Sequence, residues 1–268
     1  AERVARRQDR TVIYQKINEY IAQRLSNGTS STATASSELD ALLNSNNLAD
    51  NKTDYTSIPS RPFKSFKDIG FVEDMNSRHR RSMEDGHCMI DCFGGLENSC
   101  FFGVYDGHGG RQAVDYVQSH LHSRILEELR KELPWMWSGQ QKFSFDSTLV
   151  KKAITAAYYR TDDELNELGC QQNGTTVITC WVLEFNGEKL LFSSNAGDAR
   201  IVMCRDGQPL RLTKDHKPGE EEEIKRIKDK GGFVAYNRVN GILAVVRSLG
   251  DHAMKEWVIG TPDHNLTT

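Results

Sequence analysis

The segment of this chain best suited to chemistry is a short polar, glycine-containing stretch that follows an apolar one. Residues 101–105 predict a short buried strand, and Asp106, Gly107 and His108 come directly after it. A carboxylate is a hard ligand that suits Mg²⁺ or Mn²⁺. A glycine lets a metal or a phosphate approach the backbone closely, and a histidine can donate a proton near neutral pH. The segment therefore indicates a site, although Asp-Gly is also a common turn signal.

A second group of charged residues lies upstream, just before another predicted strand. Arg80, Glu84 and Asp85 precede an apolar segment over residues 88–93. If this strand lies beside the strand that leads to Asp106, the arginine and the three carboxylates meet at one place. Such a cluster is typical of sites that bind cations and phosphate groups. Considered singly, the arginine also fits a basic surface run and the acids a solvated turn, so both interpretations stay open for each residue alone.

Several further motifs occur in an order that is characteristic of one enzyme family. The ordered motifs are Arg80-x-x-Met83-Glu84-Asp85, Val104-Tyr105-Asp106-Gly107-His108-Gly109-Gly110, Gly174-Thr175-Thr176, Asn195-Ala196-Gly197-Asp198-Ala199-Arg200, Asp215-His216-Lys217-Pro218, Arg238-Val239-Asn240-Gly241 and residues 243–251. Together they resemble the metal-dependent serine/threonine phosphatases called protein phosphatase 2C. The resemblance extends from about residue 67 to the C-terminus.

The resemblance implies two Mg²⁺ or Mn²⁺ ions as cofactors and assigns metal-binding roles to residues of this chain. Asp106 would bridge the two ions through its carboxylate, and Gly107 would bind one of them through its carbonyl group. The residues that would contact the metals through water molecules are Glu84, Asp85 and Thr176. Asp198 matches a position near an additional metal in some family members.

The resemblance also implies three residues for the reaction and its support. Arg80 would bind the substrate phosphate, because a planar guanidinium fits phosphate oxygens well. His108 would act as the general acid that protonates the leaving oxygen. For Asp251 we expect a structural hydrogen-bonding role.

The implied activity is metal-dependent hydrolysis of phosphoserine and phosphothreonine in proteins, in intracellular signalling. The implied partners are phosphoprotein substrates, with protein kinases as candidates, and we expect a monomer. An alternative is a catalytically inactive, phosphatase-like module that binds phosphoproteins. The family pattern continues with an Asp-Gly-x-Trp-Asp motif and a later Asp-Asn motif, which supply further carboxylates. Neither is found in this chain, so we expect a C-terminally incomplete domain that binds metal weakly.

The elements that must position these residues are predicted from apolar periodicity and turn signals. Strands are predicted over 68–72, 88–93, 100–105, 176–184, 189–194 and 200–205, and helices over 111–131, 147–168 and 218–230. The dipeptides Asn186-Gly187 and Asp206-Gly207 predict hairpin turns. These patterns indicate an α+β protein with antiparallel sheets. The resemblance implies an α-β-β-α sandwich of two antiparallel sheets covered by helices, without its C-terminal strands.

The chain is predicted to divide into three parts of different composition. Residues 1–25 carry isoleucines every four positions and several arginines, which predicts an amphipathic basic helix. Residues 26–65 are rich in Ser, Thr and Asn and predict a polar disordered linker. Residues 66–268 form the phosphatase-like domain.

The overall composition is that of a globular protein and limits the classes of partner. The chain has 268 residues, of which 38% are hydrophobic and 26% charged, and a formal net charge of −3. This charge gives no reason to expect nucleic-acid binding, and no apolar run is long enough to predict a membrane span. With no signal peptide in the sequence, we expect a cytoplasmic or nuclear location.

Overall fold

The described part of the chain in this computed structural model comprises residues 55–59, 62–138 and 145–268. The predicted helix over 1–25 and most of the predicted linker lie outside these residues. The end of the linker that is described contacts the domain. The Tyr55 ring packs edge-on against His122 with 4.7 Å between ring centroids, and the Ser65 backbone N–H donates to the Asp91 carboxylate at 3.0 Å. Contacts with the domain therefore begin before residue 66.

The described residues form three α-helices and eleven β-strands. The helices are α1 (Gln112–Glu132), α2 (Ser147–Glu167) and α3 (Glu221–Asp229). The strands are β1 (Asp85–Asp91), β2 (Ser99–His108), β3 (Gly174–Thr175), β4 (Val177–Phe185), β5 (Glu188–Ala196), β6 (Val202–Arg205), β7 (Gln208–Arg211), β8 (Val234–Ala235), β9 (Arg238–Val239), β10 (Leu249–Gly250) and β11 (Asp263–Thr267). No helix within these ranges is both long and apolar enough to cross a lipid bilayer.

Seven strands form one antiparallel sheet, and the other four form two hairpins. The order in the large sheet is β10-β3-β2-β4-β5-β11, and β1 pairs with β2 outside this path. The hairpins are β6–β7 and β8–β9. The predicted α+β class, with antiparallel sheets covered by helices, is confirmed.

Helices α1 and α2 pack against the large sheet and supply many of its core residues. The inward residues of α1 recur at helical spacing and are fully buried: Val114, Val117, Leu121, Ile125 and Leu129. Each fully buried aliphatic side chain of this kind stabilises the fold by about 1.5–3 kcal/mol. Helix α2 begins after Asp146, whose side chain accepts a hydrogen bond from the Thr148 backbone N–H at 2.8 Å. Both long helices are confirmed within a residue of their predicted ends.

Both predicted hairpin turns are confirmed by their backbone conformation. Asn186 and Gly187 have φ values of 52° and 81°, and Asp206 and Gly207 have 52° and 76°. Two successive residues with positive φ are the requirement of the two-residue turn that matches strand twist. These turns fix the registers of β4 with β5 and of β6 with β7.

The strand predicted over 68–72 is wrong, because this segment has no regular pairing within the described residues. Val72 is 90% exposed and Phe71 is 42% exposed, so two of the apolar residues that predicted this strand lie at the surface. The Phe71 ring lies against the His87 ring on β1, with 4.0 Å between centroids. This segment therefore contacts β1 through a side chain and not through strand hydrogen bonds.

Candidate active site

Strand pairing places two of the predicted site carboxylates opposite each other. Strands β1 and β2 are antiparallel, and their register sets Asp85 directly across from Asp106. Facing side chains of an antiparallel pair have their Cβ atoms about 4.5–5.5 Å apart. The register therefore brings together two acids that are 21 positions apart in the sequence.

Gly107 allows the backbone of Glu84, just before β1, to lie close to β2. A Cβ atom at this position would lie 2.4 Å from the Glu84 backbone oxygen and 2.2 Å from Val114 Cγ2. Both distances are far below ordinary contact. The absence of a side chain at Gly107 is thus a packing requirement of the site, in addition to the predicted role of its carbonyl group.

Arg111 also binds the backbone of the segment that carries Glu84 and Asp85. The sequence did not predict this role. The Nη1 atom of Arg111 donates to the backbone oxygens of Met83 at 2.7 Å and Asp85 at 2.9 Å. Its Nε donates to Asp115 at 3.0 Å, one turn further along α1. The one sequence signal for this role is an arginine directly after the two glycines that precede α1.

A cleft of about 190 Å³ contains five of the predicted site residues. It is lined by Asp74, Met75, Asn76, Arg80, Ser82, Met83, Glu84, Asp85, Asp106 and Gly107. The Arg80 guanidinium forms no ion pair or hydrogen bond with another residue in the described ranges. An unpaired guanidinium beside carboxylates is suited to binding an anion such as a phosphate group.

The electrostatic environment of Asp106 disfavours its charge. Although the residue is exposed overall, partial burial of its carboxyl group is the largest cause of a raised pKa. The negative charges of Asp85 and then Asp198 raise the pKa further, and His108 opposes the shift. Asp198 itself is not among the residues that line the cleft. A bound cation reduces the electrostatic repulsion between neighbouring carboxylates of this kind.

Thr176 lies beside the same strand end with an unused hydroxyl group. Its backbone N–H donates to the Asp106 backbone oxygen at 2.8 Å. Its side chain is buried, and Oγ1 has no hydrogen-bond partner among the described residues. Buried hydroxyl groups normally have a partner, often an ordered water molecule. This orphaned oxygen fits the predicted contact with metal through water, which stays a prediction.

The chemistry of the donors fits a hard dication, whereas their number is small. Carboxylate, carbonyl and hydroxyl oxygens are the groups that Mg²⁺ and Mn²⁺ prefer. Within residues 55–59, 62–138 and 145–268, no group of three or more acidic, histidine or cysteine side chains is arranged to hold a metal ion. The assignments of Asp106 and Gly107 as direct ligands stay predictions.

His108 is not among the residues that line the cleft, and its ring pairs with an acid that is far away in the sequence. Its Nε2 lies 2.8 Å and 2.9 Å from the two carboxylate oxygens of Asp251. Asp251 is only 3% exposed and also accepts a hydrogen bond from the Ser248 hydroxyl. This agrees with the hydrogen-bonding role expected for Asp251. Sequence spacing gave no sign of its pairing with His108, 143 positions away.

Comparison with known protein families identifies the relationship of this domain. Residues 69–268 match the family model described as protein phosphatase 2C. A protein phosphatase 2C homolog 1 from Schizosaccharomyces pombe is 41% identical over 205 residues, which cover 76% of this chain and 56% of the relative. A protein of the same name from Saccharomyces cerevisiae is 33% identical over 218 residues, covering 76% of this chain and 73% of the relative.

Solved structures agree with these matches. A sex-determining protein from C. elegans has a TM-score of 0.56 and 25% identity, covering 70% of this chain and 45% of its own. A serine-threonine phosphatase 2C from Toxoplasma gondii has a TM-score of 0.56 and 21% identity, covering 70% of each chain, and shows likeness of fold. This chain spans little more than half of the fission yeast relative.

Proposed function

Because this chain belongs to the protein phosphatase 2C family, we propose that it removes phosphate from phosphoserine and phosphothreonine in proteins with the help of Mg²⁺ or Mn²⁺. The observation that carries this proposal is the cleft itself. It holds an unpaired Arg80 together with Glu84, Asp85, Asp106 and Gly107. A cation to bind phosphate and acids to hold a dication are the two requirements of phosphate-ester hydrolysis without a covalent intermediate.

In the proposed reaction, residues of this chain bind the phosphate and move a proton. The Arg80 guanidinium binds the phosphate oxygens of the substrate through paired hydrogen bonds. The oxygen of a water molecule forms a bond to phosphorus while the bond from phosphorus to the side-chain oxygen breaks. The electron pair stays on that oxygen, which takes a proton from the His108 imidazolium. The proton that the water releases to solvent restores the imidazolium.

The metals are assigned to the acidic end of β2. Asp106 and Gly107 would bind them directly, and Glu84, Asp85 and Thr176 would reach them through water. Asp198 would border an additional ion. When bound, the ions activate the water and balance the negative charge that develops on the phosphoryl oxygens.

The test is release of phosphate from a phosphothreonine peptide with Mn²⁺ present. We expect turnover by the chain, and loss of turnover after Asp106→Asn or after removal of Mn²⁺ with a chelator. Asp229→Asn is the matched control, since Asp229 is exposed at the end of α3 and lies outside the cleft. Equal rates for the chain and for Asp106→Asn would contradict the proposal.

A second function is favoured by the small number of arranged metal ligands within the described residues. The cleft could bind phosphopeptides through Arg80 without hydrolysing them. In this case a phosphothreonine peptide binds in the presence of chelator, binding is lost after Arg80→Ala, and no phosphate is released with Mn²⁺. Turnover that depends on Asp106 excludes this alternative.

A further inference from the structure

The carboxylate of Asp251 holds one side of the His108 ring. The Nε2 atom lies within 3.0 Å of both carboxylate oxygens, so it donates its proton to that group. A ring whose Nε2 is engaged in this way has Nδ1 as its one remaining nitrogen. No hydrogen bond to Nδ1 of His108 joins it to another residue in the described ranges.

Asp251 is itself fixed from several directions. Its side chain accepts a hydrogen bond from the Ser248 hydroxyl, and its backbone N–H donates to the Asn173 oxygen at 2.9 Å. It adopts a left-handed backbone conformation with a φ of 53°. A Cβ atom on Gly174 would lie 2.2 Å from Asp251 Oδ2, so glycine in β3 lets the carboxylate lie against the strand. A buried acid with this many contacts holds its partner in one orientation.

The ring that Asp251 holds is on the correct face of β2 to serve the cleft. Asp106 and His108 are two positions apart in one strand, so their side chains project from the same face. The ring and the Asp106 carboxylate therefore lie on the same side of the sheet.

We propose that Asp251 is a positioning residue for the general acid. It ties Nε2 of His108, so that Nδ1 is the nitrogen that gives its proton to the leaving oxygen of the substrate. Ser248 supports this arrangement by holding the Asp251 carboxylate. This inference rests on the proposed phosphatase function and adds a residue to its proton-transfer step.

The experiment compares two substrates that differ in their need for an acid. A phosphothreonine peptide has a poor leaving group that must be protonated, whereas p-nitrophenyl phosphate releases a stable phenolate. We expect Asp251→Asn to slow the peptide reaction by about 10²-fold, the usual contribution of a general acid, and the nitrophenyl reaction by less than about tenfold. His108→Asn should show the same selectivity, and the double variant should lose little more than either single variant.

Controls separate positioning from a general effect on folding. Asp215→Asn also changes a buried aspartate, which pairs with Arg200 and Arg211 outside the cleft, and we expect it to leave the ratio of the two rates unchanged. An equal loss on both substrates after Asp251→Asn would show a purely structural role and overturn the inference. No loss on either substrate would overturn it as well.

A measurement on the ring itself distinguishes failure of this inference from failure of the proposed function. If the unchanged chain hydrolyses neither substrate, the phosphatase proposal fails for this chain. Nitrogen-15 NMR of the neutral His108 ring then decides the inference alone, also when Asp251→Asn does not fold. A proton on Nε2 supports the positioning by Asp251, and a proton on Nδ1 overturns it.

Discussion

Replacing Gly107 with alanine tests whether the close approach of the Glu84 backbone to β2 shapes the cleft. The new Cβ atom would lie about 1 Å nearer to the Glu84 backbone oxygen than the 3.4 Å at which ordinary contact begins. It would also meet Val114, a fully buried residue of α1 that cannot move without disturbing the core. The segment carrying Glu84 and Asp85 must therefore shift away from Asp106 by roughly 1 Å.

Both stability and activity should respond to this shift. Overpacking of this kind costs about 1–3 kcal/mol, so the melting temperature of a domain this size should fall by roughly 2–12 °C. Phosphatase activity should fall by about 10²-fold, because a 1 Å misplacement of reacting groups has about that effect. On the same preparation, urea unfolding measures the change in unfolding free energy, and phosphate release measures the change in activity.

The matched control for this variant is Gly219→Ala. Gly219 is exposed, and a Cβ atom there would meet nothing within 4 Å. Its replacement should change the unfolding free energy by less than about 0.5 kcal/mol. If Gly107→Ala proved as stable and as active as the control, the reasoning from close approach would be refuted.

Three other expectations concern charged groups. Asp106→Asn should raise the thermal midpoint in metal-free buffer while abolishing activity, because burial and nearby carboxylates raise the Asp106 pKa and make its ionised form costly at neutral pH; a lower midpoint would contradict this. Glu223→Gln should lower the urea-unfolding free energy by about 3 kcal/mol, since Glu223 is 3% exposed and pairs with Arg226 and Arg247. Although burial opposes ionisation, hydrogen bonds from both arginines lower the Glu223 pKa below 4.5. The stability from this group is thus complete above pH 4.5 and lost as the pH falls below it, and the urea midpoint of Glu223→Gln should depend less on pH in that range.

Long periodic segments were the part of the fold that the sequence predicted well. The apolar spacing of α1 and α2 extends over 21 residues in each helix, enough turns for the pattern to be unambiguous. Strands β3 and β10 have two residues each, too few for any alternation to be visible. Strand β11 was missed because its sequence, Asp263–Thr267, is mostly polar. Its place in the sheet depends on contacts such as His264 with Thr155 and Ser194, which are distant in sequence.

The candidate site divides in the same way between local and distant information. The expected pairing of two neighbouring strands predicted that Arg80, Glu84, Asp85 and Asp106 meet, and the cleft brings them together. The contribution of Arg111 depends on where the first turn of α1 lies relative to β1, which only the packed structure shows. The direct metal-binding roles and the catalytic role of His108 stay predictions.

The end of β2 carries two groups of polar contacts that involve different carboxylates. Asp106 lies opposite Asp85 in β1, and burial, followed by the charges of Asp85 and Asp198, raises the pKa of Asp106. Two residues further on, His108 is tied to Asp251, which two other residues hold in place. The ring is thus oriented by a carboxylate other than those of Asp85 and Asp106, the acids that are predicted to serve the cation. Both groups of contacts depend on a glycine. A side chain at Gly107 would overlap the Glu84 backbone, and a side chain at Gly174 would overlap the Asp251 carboxylate.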